Sequence, residues 1–393
     1  MPTRITPVLL SLAACAAFAQ DAATPVDALK SGKTSLELRT RYEQVDDKGS
    51  GKTADALTNR LVLGYKTGEW QGISAFAQFE NIAVLGTPAR YYVPQTGDGD
   101  PSRATVVDPP VTQVNQLYLA WKGLKVGRQA INLDNQRFIG SVAWRQNDQT
   151  FTGASFSNAT WIPKTEFTLA HLTQVAPITG ITKDLRMDLA NVRISVIPGG
   201  NIRLFRYQVD EVTARPTSLA HTGARLDGEV IGILYDVSYA TQRRYKDATA
   251  AATPDANYRY ASLGYKITAD HRVLAAQEEM EPGFRTPYAT LHAWDGWADR
   301  FLTTPARGLV DRFVQYQGKL GAWNLVASYH AFKAQSDGAA YGRESDLSVE
   351  YQATAWLKVM VKGASYAADA ETPTLGTPNR DLKKLWIQTA MSF

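Results

Sequence analysis

Residues 35–43, SLELRTRYE, put Leu36, Leu38, Thr40 and Tyr42 on one face of an extended chain and Glu37, Arg39, Arg41 and Glu43 on the other. A period of two with one apolar and one charged face marks a strand whose sides meet different media. The pattern returns in NRLVLGY, ISAFAQFE, QLYLAW, NVRISV, VIGILYDVSYA, WNLVASYHAF, DLSVEY and WLKVMVKGASY, and helical spacing fits almost none of these segments.

The links between strands separate a membrane barrel from a soluble sandwich. Short links fall at 66–72, 122–123, 197–200, 227–229, 268–270, 319–322 and 354–355, and they alternate with long ones at 46–57, 82–113, 130–149, 173–187, 210–221, 242–256, 281–309, 333–343 and 367–382. In an up-and-down barrel every second connection lies on the same rim, so the short turns share one side and the long loops the other. The expectation is an all-β, transmembrane, up-and-down antiparallel β-barrel of about eighteen strands in a bacterial outer membrane. Its turns are short on the periplasmic side and its loops long on the extracellular side. The count becomes sixteen if 150–156 and 222–228 are not strands. Inside a bilayer an unpaired backbone group costs several kcal/mol, so such strands must close on themselves.

The two ends of the chain fit the same compartment. Met1 to Arg4 are basic-ended, Ile5 to Ala17 are apolar, and AFAQ offers a small-residue cleavage site. These features predict a signal peptide over 1–19. A short periplasmic segment over 20–34 and the barrel over 35–393 follow. LAAC, residues 12–15, is the alternative cleavage box and would leave a lipidated Cys15. With the ordinary cut the mature chain carries no cysteine, and disulfide or thiolate chemistry is not expected. At the other end, in KKLWIQTAMSF, Leu385, Ile387, Thr389, Met391 and Phe393 share the apolar face. A terminal strand ending in Phe on the lipid side is similar to the closing strand of outer-membrane proteins.

Other function classes find little support. The net charge of +4 gives no reason to expect a nucleic-acid partner. The five histidines are scattered singly, and His292 with Asp295 reads as a packed external loop, so the chain is not expected to be an enzyme. No cofactor or metal is expected. GDGDP at 97–101 reads as a solvated turn, with calcium the alternative. Residues 20–33 are too few for the plug of an active transporter.

The face opposite the apolar one lists the candidate lumen residues: Arg39, Arg41, Arg60, Arg193, Arg225, Lys358, Lys362 and Lys384. Lys125, Arg203, Arg259, Arg272 and Arg312 are added by a weaker parity, and Glu37, Glu43, Asp227 and Glu350 share the face. A ring of cations lowers the barrier for anions in a pore. The competing reading is that these charges pair across strands and stiffen the wall.

GRQAINLDNQRFIGSVAWRQNDQTF, residues 127–151, holds twelve Arg, Asn, Gln and Asp residues in twenty-five positions and falls on the third long loop. Folded inward it would narrow the lumen. Arg128, Arg137 and Arg145 are the expected pore cations, able to take carboxylates in bidentate fashion. Asn132, Asp134, Asn135, Gln136, Trp144 and Asp148 are expected to structure the loop.

This segment together with HAWDGWADRFL (292–302) and the closing strand resembles the alginate-export family of outer-membrane proteins, over most of the mature chain. The resemblance implies a monomeric β-barrel with an electropositive constriction, in whose best-known members an acidic polysaccharide leaves the cell. The expected function is passive passage of polar, anionic solutes, such as carboxylated sugars or an acidic polysaccharide like alginate. The expected partners are that solute and the surrounding membrane lipid and lipopolysaccharide. The alternative is a narrow structural barrel acting in adhesion through loops 82–113 and 281–309.

Overall fold

The computed structural model describes residues 21–86, 90–369 and 379–393. The expected signal peptide and the Cys15 box lie outside the described residues. A short helix, α1 (Pro25–Lys30), precedes the sheet, with the Thr24 side chain accepting from the Asp27 amide at its start. Twenty strands follow: β1 (Lys33–Asp47), β2 (Ala54–Lys66), β3 (Ile73–Val84), β4 (Tyr92–Val93), β5 (Asp98–Gly99), β6 (Val111–Trp121), β7 (Leu124–Gln129), β8 (Thr150–Asn158), β9 (Thr165–Ala176), β10 (Lys183–Ile194), β11 (Gly200–Asp210), β12 (Leu219–Val230), β13 (Ile233–Arg244), β14 (Ala256–Lys266), β15 (His271–Met280), β16 (Leu309–Leu320), β17 (Trp323–Lys333), β18 (Ala340–Gln352), β19 (Leu357–Ala368) and β20 (Leu382–Ser392). β4 and β5 form a separate hairpin inside one loop, and the other eighteen form a single sheet.

Each of the eighteen pairs antiparallel with its neighbours in sequence, and β1 pairs with β20 from Glu37↔Ser392 to Asp47↔Leu382. That last ladder closes the barrel and leaves no open edge for lipid to meet. Both weak segments are strands, β8 and β12, so the count is eighteen.

Alternation sets the two faces. Outward positions include Leu61, Leu63, Leu117, Leu119, Val237, Leu263, Val314 and Leu347, each more than a third exposed in the absence of lipid. Rings gather at the short-turn rim, where Trp323 meets Tyr351 at 4.5 Å and Trp356 stacks on Phe393 at 5.5 Å. Aromatic rings with one apolar and one polar edge favour such an interface.

Several boundaries move relative to the sequence reading. The turn expected at 227–229 lies at Ile231–Gly232, because β12 continues through Val230. Loops expected at 173–187 and 46–57 shrink to 177–182 and 48–53, because the strands run past the apolar band into the extracellular rim. Loops 85–110, 130–149 and 281–308 remain long. Their side chains supply much of the interior, where Phe138 packs against Phe205 at 4.9 Å, His221 at 5.1 Å and Tyr258 at 5.4 Å.

Candidate functional site

The loop 130–149 crosses the lumen from wall to wall. At one end Asp148 meets Arg60 of β2 at 2.9 Å, and Asn147 accepts from Gln113 of β6 at 2.6 Å. At the other, Asp134 accepts from Asn191 of β10 at 2.6 Å and pairs with Arg203 of β11 at 3.1 Å. Between them Arg137 reaches β15, and Arg145 reaches β1. The backbone is held in this path by its own side chains. Asn132 accepts from the Ser141 amide, Asn135 from the Arg137 amide, and the Gln149 amide group donates to the carbonyls of Gly140 and Tyr288. Gln136 accepts from Thr290 of the neighbouring loop. Val142 sits at φ +55, a left-handed conformation costly for a β-branched residue, and Thr290 Oγ1 accepts from its amide.

Arg137 and Arg145 are buried rather than pore-facing. Arg137 is 1 % exposed and donates to Glu278 Oε1 at 2.5 Å, Asp295 Oδ2 at 3.0 Å and Thr286 Oγ1 at 3.3 Å. Arg145 pairs with Glu43 at 3.2 Å and Asp299 at 3.0 Å. Both guanidiniums are spent on tying loop 130–149 and loop 281–308 to the wall, because a buried cation is tolerated only when carboxylates surround it. Arg128 also departs from expectation. The register sets it opposite Leu117 and Thr152, and its guanidinium is taken by Thr150 and Gln113.

On the wall, Arg39, Arg41, Arg60, Arg193, Arg225, Lys358, Lys362 and Lys384 share the inward face with Lys125, Arg203 and Arg272. Arg259 and Arg312 do not. They alternate with Leu263 and Val314 on the outward face, near the rim where outward residues turn polar. Most inward cations have a carboxylate partner: Arg193 with Glu166, Arg225 with Asp236 at 2.8 Å, Lys358 with Glu350 at 3.0 Å and Arg60 with Glu80 at 2.9 Å.

One arc differs. For Arg39 and Arg41 of β1 and Lys362 of β19 most hydrogen bonds go to neutral groups. Arg39 donates to the carbonyls of Ala143, Trp144 and Arg145 as well as to Glu37. Arg41 donates to Gln388 and to the Trp144 carbonyl, with its guanidinium 4.3 Å from the Trp144 ring centroid and 3.9 Å from the buried Asp108 carboxylate. The Lys362 ammonium lies 3.7 Å from the Trp297 ring centroid and 4.0 Å from that of Trp144, and it donates to His292 Nε2 at 2.8 Å. On consecutive strands β15 to β18, the last of them paired with β19, stand Glu278, Asp311, His330, Asp346 and Glu344, all buried.

Loop 281–308 supplies the groups that sequence reading did not assign to the site. His292 donates through Nδ1 to Asp299 at 2.8 Å and stacks on Trp144 at 4.5 Å with ring planes 7° apart. Burial holds the imidazole well below its usual protonation range, so it is neutral and its Nε2 is free to accept from Lys362. Burial pushes the Asp299 carboxyl up, but His292 and Lys384 outweigh it and leave the group well below the carboxylate range. Asp295 goes the other way: burial and the neighbouring Glu278 hold it well above. In the sequence the segment HAWDGWADRFL marks these groups, since it places an imidazole, two carboxylates and two indoles within eleven residues. In loop 85–110, Asp98 and Asp100 accept from Thr96 and Ser102, so both cap turns. Among the described residues no group of three or more His, Cys, Asp or Glu is arranged to hold a metal.

The family described as Alginate export matches residues 33–273. No curated protein sequence matches the chain. Among solved structures, Pseudomonas aeruginosa OpdK with vanillate is similar at TM-score 0.71 and 15 % identity, over 93 % of this chain and 100 % of that one. Pseudomonas aeruginosa OccK11 (OpdR) gives 0.68 at 15 %, over 93 % and 96 %, and Acinetobacter baumannii OccAB1 gives 0.69 at 13 %, over 93 % and 98 %. At these identities the likeness is one of fold.

Proposed function

As a member of the alginate-export family of outer-membrane barrels, this porin-like chain is, we propose, a passive channel for polar solutes that carry carboxylate groups. Carboxylated sugars are the small case and an acidic polysaccharide the large one. The supporting observation is the buried arc of Arg39, Arg41 and Lys362: their hydrogen bonds go mostly to carbonyl, amide and imidazole acceptors, the charges of Arg41 and Lys362 lie over indole faces, and the carboxylate contacts are limited to Glu37 beside Arg39 and Asp108 at 3.9 Å from Arg41. A cation held by neutral oxygens and π-faces is fixed in place without being neutralised. Low-dielectric walls then focus its field into the remaining water. Paired cations such as Arg225 contribute far less, because their carboxylates cancel the field within a few ångströms. Vanillate, with which one similar barrel was solved, is itself a carboxylate and makes a convenient probe.

Planar-bilayer reversal potentials under a salt gradient test the reading. The wild type is expected to prefer anions, and benzoate-type carboxylates such as vanillate are expected to reduce chloride current as they occupy the pore. Arg39→Gln combined with Arg41→Gln removes two charges while leaving amide donors for the loop carbonyls. The double variant is expected to lower the anion-to-cation permeability ratio roughly fivefold, the equivalent of about 1 kcal/mol of field energy. A cation-selective wild type, or a barrel that passes no current, would sink the proposal.

A further inference from the structure

The outward face of β16, β17 and β18 carries a second cationic cluster that the channel does not use. Arg312 lies directly opposite Ala331, and Ala331 directly opposite Arg343, so two arginines flank one alanine on three adjacent strands. Lys333 stands two residues above Ala331 on the same face. Neighbouring strands are about 4.8 Å apart, so the two arginine Cα atoms are separated by roughly 10 Å, and both guanidiniums can close over the methyl group between them. All three side chains are exposed. Arg312 donates only its Nε, to Gln277 at 2.8 Å. Lys333 and Arg343 form no side-chain hydrogen bond or salt bridge among the described residues. The nearest outward carboxylate in register, Glu279, is already engaged by Arg259 at 2.8 Å and by Gln335 at 3.0 Å.

The height of the cluster sets what it meets. From Trp323 at the periplasmic rim to Lys333 the strand advances ten residues. At about 3.3 Å per residue and a tilt near 40° this is roughly 25 Å, the height of the apolar band of such barrels. The cluster therefore stands at the extracellular lipid boundary. Directly below it the outward surface is apolar, with Val314 55 %, Tyr329 44 % and Leu347 51 % exposed. A furrow runs down from Arg312, floored by Ala261 and Ala275 and walled by Leu263, Val314 and Tyr329. Small floor residues between larger walls leave room for a hydrocarbon chain.

We infer that Arg312, Lys333 and Arg343 form a binding site for a phosphate-bearing lipid of the outer leaflet, of the lipid A type, with an acyl chain in the furrow below. Three unneutralised cations around a small residue match a tetrahedral, doubly charged group, and the charge-assisted bonds form at a lipid boundary where water competes weakly. The inference stands independently of the solute the lumen passes.

The test is the thermal midpoint of the purified, folded protein in neutral detergent micelles titrated with bisphosphorylated lipid A or with the same lipid dephosphorylated. The phosphorylated lipid is expected to raise the midpoint saturably, and the dephosphorylated lipid to need at least tenfold higher concentration. R312Q/K333Q/R343Q, all at exposed positions, is expected to weaken the phosphorylated lipid at least tenfold. R186Q/R206Q, outward cations on the far side of the barrel, should stay within twofold of the wild type. Equal response to both lipids, a triple variant within twofold of the wild type, or an equal loss in R186Q/R206Q would each overturn the site. Retained heat-modifiable gel mobility identifies variants that are folded.

Discussion

Arg137→Ala is expected to undock the inner loops while leaving the barrel closed, and to raise single-channel conductance and open-channel noise. The guanidinium is buried and sits between Glu278 and Asp295, so its removal strands two carboxyls in the interior. Breaking a buried ion cluster by deleting one partner costs about 3–5 kcal/mol, which is about two to nearly four orders of magnitude in the ratio of docked to released loop. The eighteen-strand ladder does not depend on this contact, so mobility on semi-native gels should be unchanged. Acidity should soften the defect. The Asp295 carboxyl is held above its usual value, so its contribution to the docked state is fully present below pH 3.8 and is lost as pH rises through its folded value. The variant's excess conductance should accordingly grow with rising pH. Adding Glu278→Gln and Asp295→Asn removes the stranded carboxyls and should recover most of the wild-type trace. Wild-type conductance in Arg137→Ala alone would mean that the clamp does not hold the loop.

The barrel was legible because its solvent is unforgiving. Lipid on one side and water on the other force the period of two seen in SLELRTRYE, and closure forces the alternation of short turns and long loops along the chain. The same rule misled at the strand tops. Above the apolar band the outward face also turns polar, so parity read from charge alone sent Arg259 and Arg312 into the lumen when the register sets them outside. Loop 130–149 was legible as a segment that enters the lumen, but the duty of its arginines was not. Arg145 finds Glu43 across 102 residues and Arg137 finds Asp295 across 158. Nothing local in the sequence distinguishes an arginine with a buried partner from one that lines water. The loop amides Asn132, Asn135 and Gln136 were easier, because their acceptors and donors lie mostly within the same turn or in the quoted HAWDGWADRFL neighbourhood.

Those long-range pairs also sort the cations by role. An arginine between two carboxylates, such as Arg137 or Arg145, fixes geometry and adds little net field. One held mainly by carbonyl oxygens, such as Arg39 with its single Glu37 contact, does both. Loop docking and ion preference are therefore separable by mutation. Variants of the first group should change conductance with little change in reversal potential, and variants of the second should do the reverse.

Asp299→Asn carries the largest expected loss on the opposite side of the lumen, and pH gives it a distinct signature. The carboxylate accepts from Lys384 at 2.7 Å, Arg145 at 3.0 Å and His292 at 2.8 Å, all buried beneath Trp144 and Trp386. The amide keeps one acceptor oxygen, turns an NH2 group toward cations and removes the only carboxylate paired with Lys384 among the described residues. A cost of about 3–5 kcal/mol follows from leaving that ammonium unmatched. Because the folded Asp299 sits below its ordinary value, its stabilisation is present above pH 3.8 and is lost as pH falls through the folded value. His292 adds a second acid-side loss that both proteins share. Its folded value is also depressed, so its contribution is present above pH 6.5 and falls away below it. Thermal midpoints in detergent should therefore fall for both proteins between pH 6.5 and 4, with the gap between them held constant. Below pH 3.8 the gap should close as the wild-type carboxyl takes up its proton. A gap that widens on acidification would mean that Asp299 is not the anion on which the Lys384 and Arg145 charges rest.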